Sequence, residues 1–282
     1  MKKRILIIGA SGRIGHRIYQ FFSKKNYTVF ATHNSYKIIK RSKKFDYLDK
    51  NSIKNTIKTT KPDYIFHLAA FANPEKNKKN KNKSNENLDG TKNIVNEIKK
   101  DKNIKLIFFS TDKVYENNPQ MNVEKFNVKP SSNYAVVKLK CEKIITKNLN
   151  NYIILRVPIV NEEKLNYKIH KNWSPNLTED FMQKIKKNQK LTVFKNIYRS
   201  FVYISDLNNL LEKIIVSKIF HTGIYNIGSK KYSYFSRLLE IMKKNKIFKK
   251  KNLVQGINGK ATPKSQLMNT KKINKVFKFK FN

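Results

Sequence analysis

The sequence predicts an α/β fold with a parallel sheet buried on both faces, and three observations carry that prediction. Arg4–Ile8, Tyr27–Thr32, Tyr64–Ala70 and Ile104–Phe109 are short, largely apolar runs of the kind that form central parallel strands. Segments with apolar residues at helical spacing alternate with them, Ile18, Phe21 and Phe22 in one, Ile94, Val95 and Ile98 in another. The first strand also runs directly into Gly9-Ala-Ser-Gly12-Arg-Ile-Gly15, which holds three of the 8 glycines in 282 residues.

Composition narrows the class. With 39% hydrophobic residues the chain can bury one large core, or one core and a small lobe. Its net charge of +42, from 61 Lys and Arg against 19 Asp and Glu, invites a nucleic-acid reading. The basic residues are mostly Lys, however, spread over the whole length without an arm or an aromatic-interleaved stripe, so nucleic acid is not the expected partner. The charge does favour any anionic ligand. A single cysteine, Cys141, forms no internal disulfide and no cysteine-based zinc site. The apolar run after Met1-Lys-Lys-Arg stops at Gly9, too short for a signal core, and no run approaches the ~18 residues of a membrane span. The expectation is a cytoplasmic protein with no membrane partner and no metal.

Taken in order, strand, glycine turn and helix present backbone N–H groups to a phosphate, and the glycines admit the ligand to the backbone. Gly9, Ser11, Gly12, Arg13, Ile14 and Gly15 are therefore candidate cofactor residues. The second strand ends in Thr32-His33-Asn34-Ser35, without the carboxylate that holds a ribose 2′-hydroxyl in NAD sites. This favours NADPH, with NADH as the alternative and His33 or Arg13 beside the extra phosphate; His33 equally suits a solvent-facing loop. Phe45–Asp49 reads as a third strand, with Asp46 and Leu48 toward the adenine and Asp49 or Ser52 as a competing helix cap. Tyr64–Ala70 ends in small residues, Ala69 and Ala70, which leave room for a ligand; His67 within it reads as a core histidine. A Lys/Asn tract from Glu75 to Ser84 reads as a solvated loop and helix start, and Asn87 to Thr91 as the lead into a helix. Ile104–Phe109 delivers Ser110, Thr111 and Asp112 to the same sheet edge. Tyr134 and Lys138, four residues apart, share a helix face, where an ammonium lowers the pKa of a phenol from its ordinary value of about 10. That spacing also recurs by chance in a chain with 14 Tyr, so the surrounding residues decide.

Gly9/Gly12/Gly15, His67–Ala70, Asn87 with Gly90-Thr91, Ser110–Asp112 and Tyr134-x-x-x-Lys138 stand in the order of the extended short-chain dehydrogenase/reductase family, which the chain resembles over nearly its whole length. The detail is most similar to the dTDP-4-dehydrorhamnose reductase branch, in Thr32–Asn34, Tyr134–Glu142, Arg199–Asp206, Gly223–Gly228 and Thr262–Lys271. The resemblance implies a Rossmann-like, doubly wound NAD(P)-binding domain over residues 1–156. It implies that residues 157–282 form a small substrate lobe and return to complete that domain. It implies Thr111, Tyr134 and Lys138 as catalytic trio, cofactor contacts from Ser110, Tyr134 and Lys138, and a nucleotide-linked 6-deoxy-4-keto sugar reduced at C4 for polysaccharide or cell-surface sugar biosynthesis. Tyr134 would supply the proton, Lys138 would lower its pKa, and Thr111 would orient the carbonyl. Thr111, Asp112, Trp173 and Arg199 are the substrate candidates, and a homodimer is the family's default.

Related chemistries fit less well. The sugar-nucleotide dehydratases follow the catalytic Thr with Asp and Glu, whereas Asp112 is followed by Lys113. An NAD-dependent epimerase is the enzymatic alternative, and an NADP-binding regulatory protein without turnover the second. Glu116-Asn-Asn replaces the branch's usual glycine after Val114-Tyr115, Asp206 reads as a helix cap, Leu177–Ile185 as a helix and Leu191–Phe194 as a strand.

Overall fold

A computed structural model of the chain describes residues 2–70, 81–115, 118–125, 128–130, 132–162, 173, 177–187, 189, 191–194, 197–229, 231–233, 236, 239–240, 242–243, 253–256 and 265–282. Residues 71–80, which include the first part of the Lys/Asn tract, Glu116 and Asn117, and residues 262–264 of the last family-like segment lie outside them.

The amino-terminal half alternates strand and helix. It runs β1 (Arg4–Ile8), α1 (Arg13–Phe22), β2 (Thr28–His33), β3 (Lys43–Lys44), α2 (Lys50–Thr60), β4 (Tyr64–His67), α3 (Lys81–Ile98), β5 (Lys105–Thr111), β6 (Asn118–Asn122) and α4 (Asn133–Asn148). There follow β7 (Tyr152–Val157), β8 (Ile159–Asn161), α5 (Leu177–Lys186), β9 (Leu191–Phe194), β10 (Tyr198–Tyr203) and α6 (Ile204–Val216). The rest comprises β11 (Gly223–Asn226), β12 (Lys231–Ser233), β13 (Leu253–Gly256), β14 (Ser265–Met268) and α7 (Lys271–Phe277). Seven strands pair in parallel in the order β11-β7-β5-β4-β1-β2-β3, with Ile5 opposite both Val29 and Tyr64. This is the parallel sheet that the apolar runs predict, in the doubly wound, Rossmann-like order that the resemblance implies.

Period-two alternation sends each strand's side chains to two separate cores. Ile5, Ile7, Phe66 and Ile107 pack with Ile18 and Phe22 of α1, Leu207 and Leu210 of α6, and Ile273 and Phe277 of α7. Leu6, Ile8, Ile65 and Phe108 pack on the opposite face with Ile53 of α2, Ile94 of α3, and Val137 and Ile145 of α4. Burying each such side chain contributes about 1.5–3 kcal/mol, so the sheet is anchored on both sides. After Val157 the chain leaves this sheet and rejoins it at β11, which pairs with β7. In between and beyond, β10 carries β12, β14 and β8 on its flanks, with β6 on β14, and β13 pairs with β9. Among the described residues no helix is long and apolar enough to cross a membrane.

Three local expectations need correction. The third strand is Lys43–Lys44, just before the apolar segment: Phe45 N still donates to His33 O of β2 at 2.9 Å and its side chain packs in the core, but the ladder ends there. Asn87–Thr91 lies inside α3, which begins at Lys81 in the polar tract. Asp206 is not a cap: it sits in the first turn of α6, 1% exposed, and its carboxylate accepts from Asn282 N at 2.9 Å and Asn282 Nδ2 at 2.6 Å.

Candidate active site

Two adjoining clefts, of about 380 and about 300 Å³, share Gly9, Gly12, Leu68 and Ala70 at the carboxyl ends of β1 and β4. Gly9 has φ +93, and a Cβ there would stand 2.7 Å from Ala69 N, so this turn admits no side chain. Gly12 N donates to Gly9 O at 3.0 Å, and α1 starts at the next residue with no side-chain cap. Its first N–H groups face the clefts without an intrahelical acceptor, an arrangement suited to phosphate.

The larger cleft runs from this turn past the end of β2, where Thr32, His33, Asn34, Ser35 and Tyr36 line it. Ser42 Oγ donates to Ile39 O at 2.6 Å, so the His33 Nδ1–H donates to Ser42 Oγ at 2.8 Å. Partial burial and the cations Lys37 and Lys44 hold the His33 pKa below its ordinary value. Arg13 is turned elsewhere: it pairs with Glu179 at 2.5 Å and lies 5.5 Å from the Trp173 ring. Trp173 Nε1 in turn donates to Ser11 O at 2.9 Å. The stacking surface of Trp173 thus belongs to the glycine-turn end.

Of the residues singled out in the sequence, Asp46 and Leu48 are the two cofactor candidates that line neither cleft. Asp46 Oδ1 accepts from Leu48 N at 2.9 Å, while Phe45 and Tyr47 form the wall. A Cβ on Gly90 would sit 1.5 Å from Tyr47 Cδ2, so the bare backbone of α3 is what lets that ring lie flat. Alternation was the available signal, since neighbours in an extended segment point to opposite sides. His67 is a core residue: its Nε2 lies 3.2 Å from Thr91 Oγ1, and burial pushes its pKa down to about 3.

The second cleft is lined by Arg13, Ile14, Gly15, Phe109, Ser110, Tyr134, Lys138 and Val157. Ser132 caps α4 by accepting from Ala135 N at 3.3 Å, which starts the helix one residue before Tyr134. Lys138 Nζ donates to Phe109 O at 2.9 Å and lies 4.4 Å from the Phe108 ring centroid. Burial lowers its pKa to about 8, against the opposing pull of Cys141 and Glu142. The Tyr134 phenol is raised above its ordinary value, by burial first and then by the Asp112 carboxylate. The phenol is thus raised, not lowered as the Tyr134–Lys138 spacing leads one to expect. Thr111, nearly buried, stands just off the lining, its hydroxyl donating to Asp112 Oδ1 at 3.2 Å and accepting from Lys113 N at 3.2 Å.

Asp112 is buried too, which raises its pKa against the lowering influence of Arg199 on β10 and of Lys113. Gln266 Nε2 of β14 donates to Asp112 O at 3.0 Å, fixing the turn. Arg199 Nε is buried and makes no hydrogen bond to any described residue. No group of three His, Cys, Asp or Glu able to hold a metal occurs among the described residues.

A parallel sheet with a glycine turn after its first strand and a Tyr–Lys helix beside its fifth defines a Rossmann-like protein of the short-chain dehydrogenase/reductase type. The chain belongs to the family described as the RmlD substrate binding domain, whose model matches residues 2–282. It is similar in fold to a dTDP-4-dehydrorhamnose reductase from Bacillus anthracis solved in complex with NADP, at TM-score 0.83 and 20% identity over 99% of this chain and 93% of that one. The Bordetella bronchiseptica enzyme WbmG, solved with NAD and UDP, gives TM-score 0.82 at 16% identity, over 100% and 91% of the two chains. Among curated proteins, the dTDP-D-glucose 4,6-dehydratase of Dictyostelium discoideum is 25% identical over 258 residues, 80% of this chain and 58% of that protein. Methionine adenosyltransferase 2 subunit beta of Bos taurus is 25% identical over 159 residues, 56% and 47% of the two chains. The chain spans about half the length of these curated relatives.

Proposed function

We propose that this protein is an NADPH-dependent reductase of the C4 carbonyl of a nucleotide-linked 6-deoxy-4-keto sugar. The observation that carries the reading is the joined pair of clefts, with a glycine turn in the middle, His33 at one end and Tyr134 with Lys138 at the other. The residues suit a dinucleotide: a glycine turn at Gly9 packed too closely on Ala69 for any Cβ, and helix N–H groups with no side-chain cap. The bound cofactor supplies hydride, and the protein supplies position and charge. NADPH is favoured over NADH because no carboxylate stands between Thr32 and Tyr36, while Lys37 and Lys44 flank His33.

In this mechanism Tyr134 is the acid. Its raised pKa keeps the phenol protonated at neutral pH, ready to give its proton to the oxygen that becomes the new hydroxyl. Lys138, cationic below about pH 8, spends one of its three donors on Phe109 O and offers the others to the cofactor ribose. Thr111 exchanges its acceptor on Asp112 for the carbonyl oxygen. Arg199, beside Asp112, meets the substrate's phosphates.

The test is to mix the protein with NADPH or NADH and a panel of nucleotide-linked 4-keto sugars, following cofactor oxidation with product analysis. Oxidation matched by a 4-hydroxy product supports the reading. Interconverted sugars without net oxidation would make the protein an epimerase. One observation favours a second reading, binding without turnover: the similarity to a protein named as a subunit of methionine adenosyltransferase. Cofactor binding without consumption across the panel would select it.

A further inference from the structure

We infer that Glu142 and Arg156 are positioning residues that set the active-site helix against the strand carrying Thr111, an inference that rests on the reductase reading above. Glu142 follows Tyr134 by eight residues and Lys138 by four, so all three fall on one face of α4. Its side chain is 2% exposed and is held by Arg156 of β7, with Arg156 Nη2 donating to Oε2 at 2.7 Å and Nε to Oε1 at 3.1 Å. Ser110, the residue before Thr111, donates to the same Oε1 at 2.5 Å. The other side of the guanidinium reaches Tyr115 Oη at 2.7 Å and Glu124 O at 2.9 Å. Tyr115 Oη donates to Asn226 Oδ1 at 2.7 Å, and Asn226 Nδ2 to Asn122 O at 2.9 Å.

Tyr115 closes the single helical turn that begins after Thr111. One buried ion pair therefore grips the strand before the trio's Thr, the turn after it and the helix of Tyr and Lys, and ties them to β11 and β6. Apart from Ser110, which lines the second cleft, none of the network residues lines either cleft. Buried pairs of this kind are often replaceable by apolar residues without loss of stability, so fold stability alone does not account for building one here. A planar fork bound at both ends fixes distance and angle, which a proton transfer requires.

The test is the double variant Glu142→Leu/Arg156→Met, which keeps the volume apolar, together with Arg156→Lys, which keeps the charge without the fork. Positioning predicts kcat lower by at least about tenfold with KM and NADPH affinity within about threefold, and an intermediate kcat for Arg156→Lys. It also predicts that the ¹³Cζ resonance of Tyr134, assigned by its loss in Tyr134→Phe, is displaced or broadened in the folded double variant. A kcat within about threefold of the parent with an unmoved Tyr134 resonance would overturn the inference, as would a folded double variant that loses cofactor affinity and kcat in parallel. Should the double variant fail to fold, Tyr115→Phe, which cuts only the hydroxyl between Arg156 and Asn226, decides by the same readouts. If the parent protein turns nothing over, the reductase reading fails separately and the Tyr134 resonance alone decides.

Discussion

Arg13, on the turn that opens α1, is paired at 2.5 Å with Glu179 on α5, a partner 166 residues later that is 3% exposed. Trp173 packs on the same guanidinium, so a segment from the second half of the chain is fastened onto the glycine turn. Glu179→Gln removes a charged hydrogen bond and is expected to cost about 1–3 kcal/mol of stability, read as a lower denaturant midpoint. NADPH affinity should not weaken, because the variant removes a negative charge beside the phosphate-binding turn. The single Trp of the chain reports that affinity by fluorescence.

Tyr134→Phe keeps the ring and removes the acid. Turnover should fall by about 10²–10⁴-fold, while the dissociation constant for NADPH stays within about twofold. Equal loss of both would make Tyr134 a structural residue.

Lys138→Met is expected to damage turnover and cofactor binding together, since the ammonium serves both. Its pKa also predicts a pH signature. In the folded protein the group loses its proton near pH 8, in the unfolded chain near 10.5. Between those values the unfolded state binds more protons, so the burial penalty is fully present below pH 8 and is relieved as pH rises toward 10.5. The stability of the parent relative to Lys138→Met should therefore increase across that window, as read from paired denaturation curves. A flat difference would contradict the assignment. Activity should decline above about pH 8 as the cation is lost.

His33→Asp places a carboxylate where an NAD site carries one. Like-charge repulsion should shift the preference from NADPH toward NADH by at least about tenfold in kcat/KM, and an unchanged ratio would place the 2′-phosphate elsewhere.

The central strands and the glycine turn were legible because each is a local pattern: an uninterrupted apolar run, or a backbone conformation that needs Gly9. Tyr134, Lys138 and Ser110 were legible as a constellation, and they line one cleft. What escaped was tertiary. Neither the carboxylate of Glu179 nor the indole of Trp173 announces that it meets Arg13 and Ser11 more than 160 residues away. Asp206 looked like a cap because acidic residues favour helix starts; its real partner is Asn282. Asp46 has the hydrogen-bonding chemistry of an adenine contact, yet its Oδ1 accepts from Leu48 N in a local turn, and Phe45 and Tyr47 line the cleft. The polar tract reads as loop and helix start, and α3 does begin within it at Lys81; with no apolar stripe over those residues, Asn87–Thr91 reads as a lead-in rather than as helix.

The most direct measurement is isotope transfer: NADPH deuterated at C4 of the nicotinamide, in separate pro-R and pro-S forms, is incubated with the nucleotide-linked 4-keto sugar that turns over. The account predicts one deuterium at C4 of the product sugar from one of the two forms, in step with cofactor oxidation, and its disappearance in Tyr134→Phe. A 4-hydroxy product without label, or a changed sugar with the cofactor unconsumed, would contradict it.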